Sequence, residues 1–360
     1  MVKAAILRGY GEPLTIEDVE LAAPGPDEVL VKTAAVGLCH SDLHAMQGLY
    51  QFPLPAVMGH EVSGVVLSVG EHVHDLAEGD HVVGCLSVHC GHCRQCEAGH
   101  QVLCQSPQVK APPGELRRLS QGETQVNQIF NLSGFAEQLL VHRRALVKIR
   151  QDMPLDRAAL LGCAVLTGTG AVFRSARVAP GSTVAVIGCG GVGLSTINGA
   201  AIAGAARIIA IDTLPAKLEM ARTFGATDVI DGSVMDPVAT VMELVGGVDY
   251  SFECIGLKAT AEQSYAMLAP AGLATVIGLF APDVKIELPG IQFLQEKKIQ
   301  GSFLGSSLLN IDIGRLVELY LKGDLKLDEL ISKRIALQDI NEGFKDMQQG
   351  TVARSVVVFP

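Results

Sequence analysis

Thr183-Val184-Ala185-Val186-Ile187-Gly188-Cys189-Gly190-Gly191-Val192-Gly193 is the stretch that decides the fold of this chain. Its first residues are apolar or β-branched and read as a buried strand; the glycines follow at G-x-G-x-x-G spacing and open a small-residue helix running to about Ala203. The next strand, Arg207–Asp212, ends on an acid 24 residues past Gly188. A lone glycine run means little, but strand, turn, helix and acid in this order describe a dinucleotide site. Gly188 permits the tight turn, Gly190 removes a side chain that would block a pyrophosphate, and Gly193 allows close helix–strand packing. The helix start around Gly191 and Val192 offers free N–H groups and positive dipole to phosphates. Asp212 can accept from both ribose hydroxyls and would repel a 2′-phosphate, which favours NAD over NADP.

The same rhythm continues downstream. An amphipathic helix is expected from Pro215 to about Phe224, with strands near Asp228–Ile230, Val248–Phe252 and Leu273–Gly278. Alternating strands and helices of this kind build a doubly wound parallel sheet. Beyond about residue 300 the sequence predicts a helix over Arg315–Lys322, a short one around Ile340–Gln348, and a terminal strand over Ser355–Phe359. Upstream, to about residue 150, the character differs. Short β-type runs such as Val29–Lys32, Val62–Val69 and His81–Gly84 are punctuated by glycine and proline, as in an antiparallel barrel-like or sandwich-like domain. Residues 105–131 are polar and carry Pro112-Pro113-Gly114, so they are expected to form a long surface excursion.

At 360 residues there is room for two domains. Apolar residues make up 48%, yet no run is long enough to read as a membrane span. The first residues lack a signal-peptide core, so a cytoplasmic enzyme with no membrane partner is expected. A net charge of −10 speaks against a nucleic-acid partner.

Cys90, Cys93, Cys96 and Cys104 form a C-x2-C-x2-C-x7-C run within a lobe at about residues 85–110. In a reducing compartment such a set is a metal staple rather than a disulfide framework, and it suits one structural zinc. An iron–sulfur cluster is the competing occupant, disfavoured by the long last gap and the absence of a following proline. Three further metal-capable residues, Cys39, His60 and Cys163, stand in glycine-flanked turns. Two thiolates and one imidazole leave a fourth position free, as a catalytic zinc requires. The remaining cysteines, Cys85, Cys189 and Cys254, are expected to be buried packing.

With these residues assembled, the chain resembles the zinc-dependent medium-chain alcohol dehydrogenases over essentially its full length. The resemblance rests on Gly59-His60-Glu61-x-x-Gly64, the four-cysteine lobe, Gly162-Cys163, the glycine loop with Asp212, and the region around Arg354. It implies a mainly-β GroES-like catalytic domain over residues 1–164 and 304–360, with a Rossmann NAD-binding domain over 165–303 inserted between them. It also implies zinc at two sites per subunit and a homodimer, with a homotetramer as the other assembly. Matching positions assign Cys39, His60 and Cys163 to the catalytic zinc, with Asp42 and Glu61 beside it. Ser41 would hydrogen-bond the substrate oxygen and start a proton path through the nicotinamide ribose to His44. His40 and Arg354 would approach the pyrophosphate and Lys217 the adenosine ribose. Leu86 matches a pocket wall that is often aromatic in the family.

The resemblance implies reversible oxidation of a primary or secondary alcohol by NAD. Two alternatives stand beside it: a glutathione-dependent formaldehyde dehydrogenase, and a nicotinoprotein with tightly held NAD. The former branch carries an anion-binding arginine four residues past the last lobe cysteine, where this chain has Gln108, with Arg117 and Arg118 nearby. A sensor that kept the fold and lost the chemistry is the remaining class, and the intact Cys39/His60/Cys163 set opposes it.

Overall fold

Alternation of buried and exposed side chains organises the first half of the chain into sheets. The computed structural model describes residues 1–107, 109–110, 118–350 and 352–360. It divides into one unit formed by Met1–Cys163, Leu308–Leu321 and Ile331–Pro360, and another formed by Ala164–Ser307 and Lys322–Leu330.

In the first unit the strands are β1 (Val2–Leu7), β2 (Thr15–Leu21), β3 (Glu28–Gly37), β4 (Ala56–Val57), β5 (Glu61–Val69), β6 (His81–Gly84), β7 (Leu119–Gln121), β8 (Thr124–Gln128), β9 (Gln138–His142) and β10 (Leu146–Lys148). A closed barrel runs β1-β2-β7-β8-β4. A second sheet runs β10-β6-β5-β3 and continues through strands Arg354–Val358 and Ile331–Ile335, with β9 also on β3. β3 is the hub: Val29, Val31, Ala35 and Val36 are buried, and the strand pairs with β5 along its length. The C-terminal strand joins β3 antiparallel, Val356 opposite Gly37. The beginning and end of the chain therefore share one sheet.

The expected surface excursion over 105–131 is corrected here for the described residues. β7 pairs with β2 and β8 with β4, and Leu119, Val126, Asn127 and Ile129 are buried. Short strands with polar outward faces look like loop in sequence, because only one face needs to be apolar.

In the second unit β11 (Thr183–Ile187), β12 (Arg207–Asp212), β13 (Asp228–Asp231), β14 (Val248–Glu253), β15 (Leu268–Val276) and β16 (Lys298–Gly301) form a parallel sheet ordered β13-β12-β11-β14-β15-β16. This is the doubly wound Rossmann order, with the switch between β11 and β14. Val184–Val186 and Ile208–Ala210 are shielded on both faces, which explains their unbroken apolar runs. Helix Gly191–Ile202 is mostly buried and built from small residues, so it lies close on the sheet. The solvent-side helices are punctuated by local chemistry. Pro215 and Pro237 open Pro215–Phe224 and Pro237–Val245, Asp236 caps the latter by accepting from Val238 N at 2.9 Å, and Gly225 and Gly246 end them in left-handed backbone. Among the described residues no single helix is long and apolar enough to cross a membrane.

Candidate active site

Three separate turns of the first unit deliver the donor atoms. β3 ends at Gly37, Leu38 N donates to Ser355 O at 2.9 Å, and Cys39 follows in extended backbone as the residue before helix His40–Met46. His60 stands just before β5 and directly after Gly59, whose φ of +93° suits glycine alone. Cys163 closes the turn Ala159–Gly162, and a Cβ on Gly162 would collide with the Gly84 carbonyl, so only glycine lets this turn sit against β6. Gly37 has a similar function: a Cβ there would overlap Glu61 Oε2.

The ligand atoms of Cys39, His60, Glu61 and Cys163 all lie within 4.8 Å of one another, and all four residues are buried. His60 Nδ1 is 3.0 Å from Asp42 Oδ1, which also accepts from Gly59 N at 3.2 Å. With Nδ1 held by a carboxylate, Nε2 is the nitrogen left for the cluster. Arg354 is buried as well: Nη2 donates to Glu61 Oε1 at 3.2 Å and lies 3.9 Å from Cys39 Sγ.

Electrostatics show what the cluster lacks. Burial pushes the Glu61 carboxyl up to about 8, against the pull of Arg354. The hydrogen bond between the two thiols lowers Cys39 and raises Cys163, with burial adding to the rise of Cys163. Burial also raises Asp42. Glu61, Cys163 and Asp42, all pushed up, hold their protons unless positive charge is supplied. His60 Nε2, Glu61 Oε2 and Asp42 Oδ2 are meanwhile buried without hydrogen-bond partners. Soft thiolates, an imidazole and unpartnered acceptors in a proton-retaining pocket suit one divalent cation, zinc above others. A carboxyl oxygen of Glu61 lies within the same 4.8 Å cluster, with Oε1 held by Arg354.

The other cysteine set fits a zinc equally well. Sγ–Sγ distances are 3.5 Å for Cys93–Cys96 and 3.9 Å for Cys90–Cys96 and Cys93–Cys104. Four thiolates at tetrahedral zinc stand about 3.8 Å apart, given Zn–S bonds near 2.3 Å. The backbone N–H groups of Cys90 and Cys93 point at Cys104 Sγ and Cys90 Sγ at 3.4 and 3.3 Å, the support that thiolates receive in such lobes.

Ser41 and His44 occupy one face of helix His40–Met46, both half-buried, and His44 Nδ1 has no hydrogen-bond partner. His40 is exposed, with its ring centroid 6.4 Å from that of His44. Leu86 is partly buried against the core, and its carbonyl accepts from Asn131 Nδ2 at 3.1 Å. Arg118 does not stand ready for an anion. It is 7% exposed, and Nε donates to Glu28 Oε1 at 2.6 Å. Gln108 and Arg117 lie outside the described residues.

In the second unit Gly188 has φ +94°. A Cβ on Gly193 would overlap the Gly188 carbonyl oxygen, whereas one on Gly190 would meet nothing within 4 Å. Asp212 Oδ2 accepts from Cys189 N at 2.8 Å, and Oδ1 accepts from Thr213 N at 2.8 Å. The acid is thus pinned to the glycine loop, with further acceptor capacity. Lys217 sits half-buried in the first turn of the following helix.

These features coincide with a known family. Residues 25–151 match the alcohol dehydrogenase GroES-like domain and residues 191–322 the zinc-binding dehydrogenase domain. The chain belongs to the zinc-dependent medium-chain alcohol dehydrogenases. The NDMA-dependent alcohol dehydrogenase of Amycolatopsis methanolica is 36% identical over 99% of this chain and 98% of its own. An alcohol dehydrogenase zinc-binding domain protein from Burkholderia ambifaria superposes with TM-score 0.96 at 36% identity, covering 100% of this chain and 99% of that one. Benzyl alcohol dehydrogenase from Acinetobacter calcoaceticus superposes at 0.94 with 33% identity and the same coverages. The dehydrogenase is therefore an oxidoreductase acting on alcohols.

One residue at the centre of the site carries no sequence signal. Phe130 packs its ring against His60, with centroids 4.8 Å apart. No spacing rule points to it, because it stands in a loop without periodicity.

Proposed function

We propose that this dehydrogenase oxidises a primary or secondary alcohol reversibly to the aldehyde or ketone, passing hydride to NAD, with two zinc ions per chain. The observation that carries the proposal is the buried Cys39, His60 and Cys163 donor set, with an unpartnered His60 Nε2 and a carboxyl pushed up to about 8. Zinc held by Cys39, His60 and Cys163 would supply Lewis acidity at the alcohol oxygen, and NAD would supply the hydride acceptor. Cys90, Cys93, Cys96 and Cys104 hold the structural ion.

The chain's own residues divide the remaining work. Asp42 fixes the His60 tautomer, and Arg354 balances Glu61 and the thiolates. Ser41 Oγ takes the hydroxyl proton, and His44, one helical turn on, hands it to water. The buried, unpartnered His44 Nδ1 is the atom free to take that proton from within the fold. The proton that Ser41 and His44 remove would balance the hydride that bound NAD would accept. Gly188, Gly190, Gly191, Val192 and Gly193 receive the pyrophosphate, while Asp212 and Lys217 address the adenosine ribose and His40 and Arg354 the phosphates. A carboxylate at the end of β12 disfavours a 2′-phosphate, which supports NAD over NADP. A cytoplasmic homodimer belongs to the same proposal.

Likeness to a benzyl alcohol dehydrogenase supports starting the substrate panel with aromatic primary alcohols, followed by allylic ones. The deciding experiment measures zinc content and NADH formation from that panel, with NADP and with glutathione as comparison arms. Two zinc ions and turnover with NAD alone are expected. A strict glutathione requirement indicates formaldehyde-adduct oxidation. An NADH-band absorbance surviving purification, with turnover only when an external acceptor is present, indicates the nicotinoprotein mode that likeness to an NDMA-dependent enzyme brings forward. No turnover from zinc-replete protein overturns the proposal.

A further inference from the structure

We propose that Phe130 is a positioning residue for His60, its ring bracing the imidazole so that Nε2 keeps its aim into the Cys39–Cys163 cluster. The proposal rests on the zinc-centre reading of that cluster. The two rings meet edge-to-face, with centroids 4.8 Å apart and planes at 60°, and His60 is sealed from solvent. Asp42 Oδ1 already fixes Nδ1 at 3.0 Å. That hydrogen bond restrains rotation of the ring about Cβ–Cγ from one edge only. A second flat surface against the ring removes the swing.

The backbone is contorted to bring Phe130 there. Phe130, Asn131 and Ser133 have φ values of 57°, 62° and 64°, left-handed backbone that bulky residues rarely adopt. Such conformations persist where the surroundings over-determine them, and they cluster at functional sites. Here the supports are visible. Asn131 Nδ2 donates to Leu86 O at 3.1 Å, and Gln128 Nε2 donates to Leu132 O and Leu140 O at 2.9 Å each. The Gln128 side-chain oxygen accepts from buried Arg118, itself paired with Glu28. Gly134 N donates to Gly59 O at 2.8 Å, tying the end of the loop to the residue before His60. A turn alone would be met at lower cost by glycine or asparagine at position 130. A phenylalanine standing there despite that cost, its ring on His60, marks the ring as what the loop presents.

The test uses zinc-loaded protein in three versions: wild type, Phe130→Leu and Phe130→Tyr. Two readouts need no turnover, namely the rate of zinc release to a chromophoric chelator and the visible spectrum of the cobalt-exchanged protein. Phe130→Leu is expected to release one of the two ions about two- to tenfold faster, the range an aromatic pair supports. It is also expected to shift the cobalt bands, with Phe130→Tyr restoring both and the lobe ion unaffected throughout. Unchanged release and an unchanged spectrum in Phe130→Leu overturn the proposal. If that variant does not fold, Phe130→Met, which keeps apolar volume without the ring, decides on the same criteria. Failure of both to fold marks the ring as core packing and overturns it too. Wild-type protein carrying a single zinc would instead overturn the underlying metal reading.

Discussion

Asp42 Oδ1 lies 3.0 Å from His60 Nδ1, and both side chains are completely buried. The pair fixes which imidazole nitrogen carries hydrogen and therefore which one is free to ligate. Asp42→Asn keeps the shape, removes the charge and weakens the hold on Nδ1. Zinc affinity at this site is expected to fall by about 10- to 100-fold, as for other carboxylate–histidine supports. Chelator competition on zinc-loaded protein measures it, and an unchanged affinity would assign Asp42 to packing alone.

The two thiolate sets share no residue, so they should fail separately. Cys163→Ser is expected to lose the ion held with Cys39 and His60 and to keep the other, with metal content halved and folding retained. Cys104→Ser should lose the lobe ion and lower the melting temperature, because buried Cys90, Cys96 and Cys104 form that lobe's small core. Elemental analysis beside calorimetry separates the cases. Loss of both ions from either variant would show the sites to be coupled.

The hydrogen bonds from Arg207 hold Asp228 down at about 2. A carboxyl depressed in the folded state contributes stability above its unfolded value, and that stability is lost as pH falls towards 2. The pair is 35% and 26% exposed, so solvent screening keeps that contribution small. Arg207→Gln should therefore lower the urea midpoint by the same amount at about pH 7 and pH 5, with a smaller gap near pH 3. A gap that is constant down to about pH 3 would point to lost packing of the arginine stem instead.

Local order made some of this legible in the sequence and long-range order hid the rest. The stretch from Thr183 to Asp212 reads directly because strand, turn, helix and acid are neighbours in the chain. The four lobe cysteines read for the same reason. Cys39, His60 and Cys163 come from three distant turns, so spacing says little and their glycine-flanked surroundings and donor chemistry are the only local signal. The contact between Glu61 and Arg354 spans 293 residues and places the arginine inside the cluster, where its sequence neighbourhood gave no hint. β8 was misread because Thr124-Gln125-Val126-Asn127-Gln128 has a single apolar residue, although the barrel buries Val126 and Asn127. Phe130 left no trace because a left-handed phenylalanine breaks every periodic pattern.

The glycine loop offers a test in which folding and coenzyme binding come apart. A Cβ at Gly193 would run into the carbonyl of Gly188, and that oxygen is backbone that cannot move without disturbing the β11 turn. Gly193→Ala is therefore expected to destabilise the second unit by about 1–3 kcal/mol, in the range of overpacked sites. A Cβ at Gly190 would meet nothing within 4 Å, and this glycine has φ −78°, which alanine adopts freely. Gly190→Ala should melt like wild type. If a pyrophosphate rests on the helix start, the added methyl stands where the phosphate must approach, and NADH affinity should fall by about tenfold or more. Fluorescence titration with NADH beside thermal unfolding reads both effects. Wild-type affinity in a fully folded Gly190→Ala protein would remove the coenzyme from this loop.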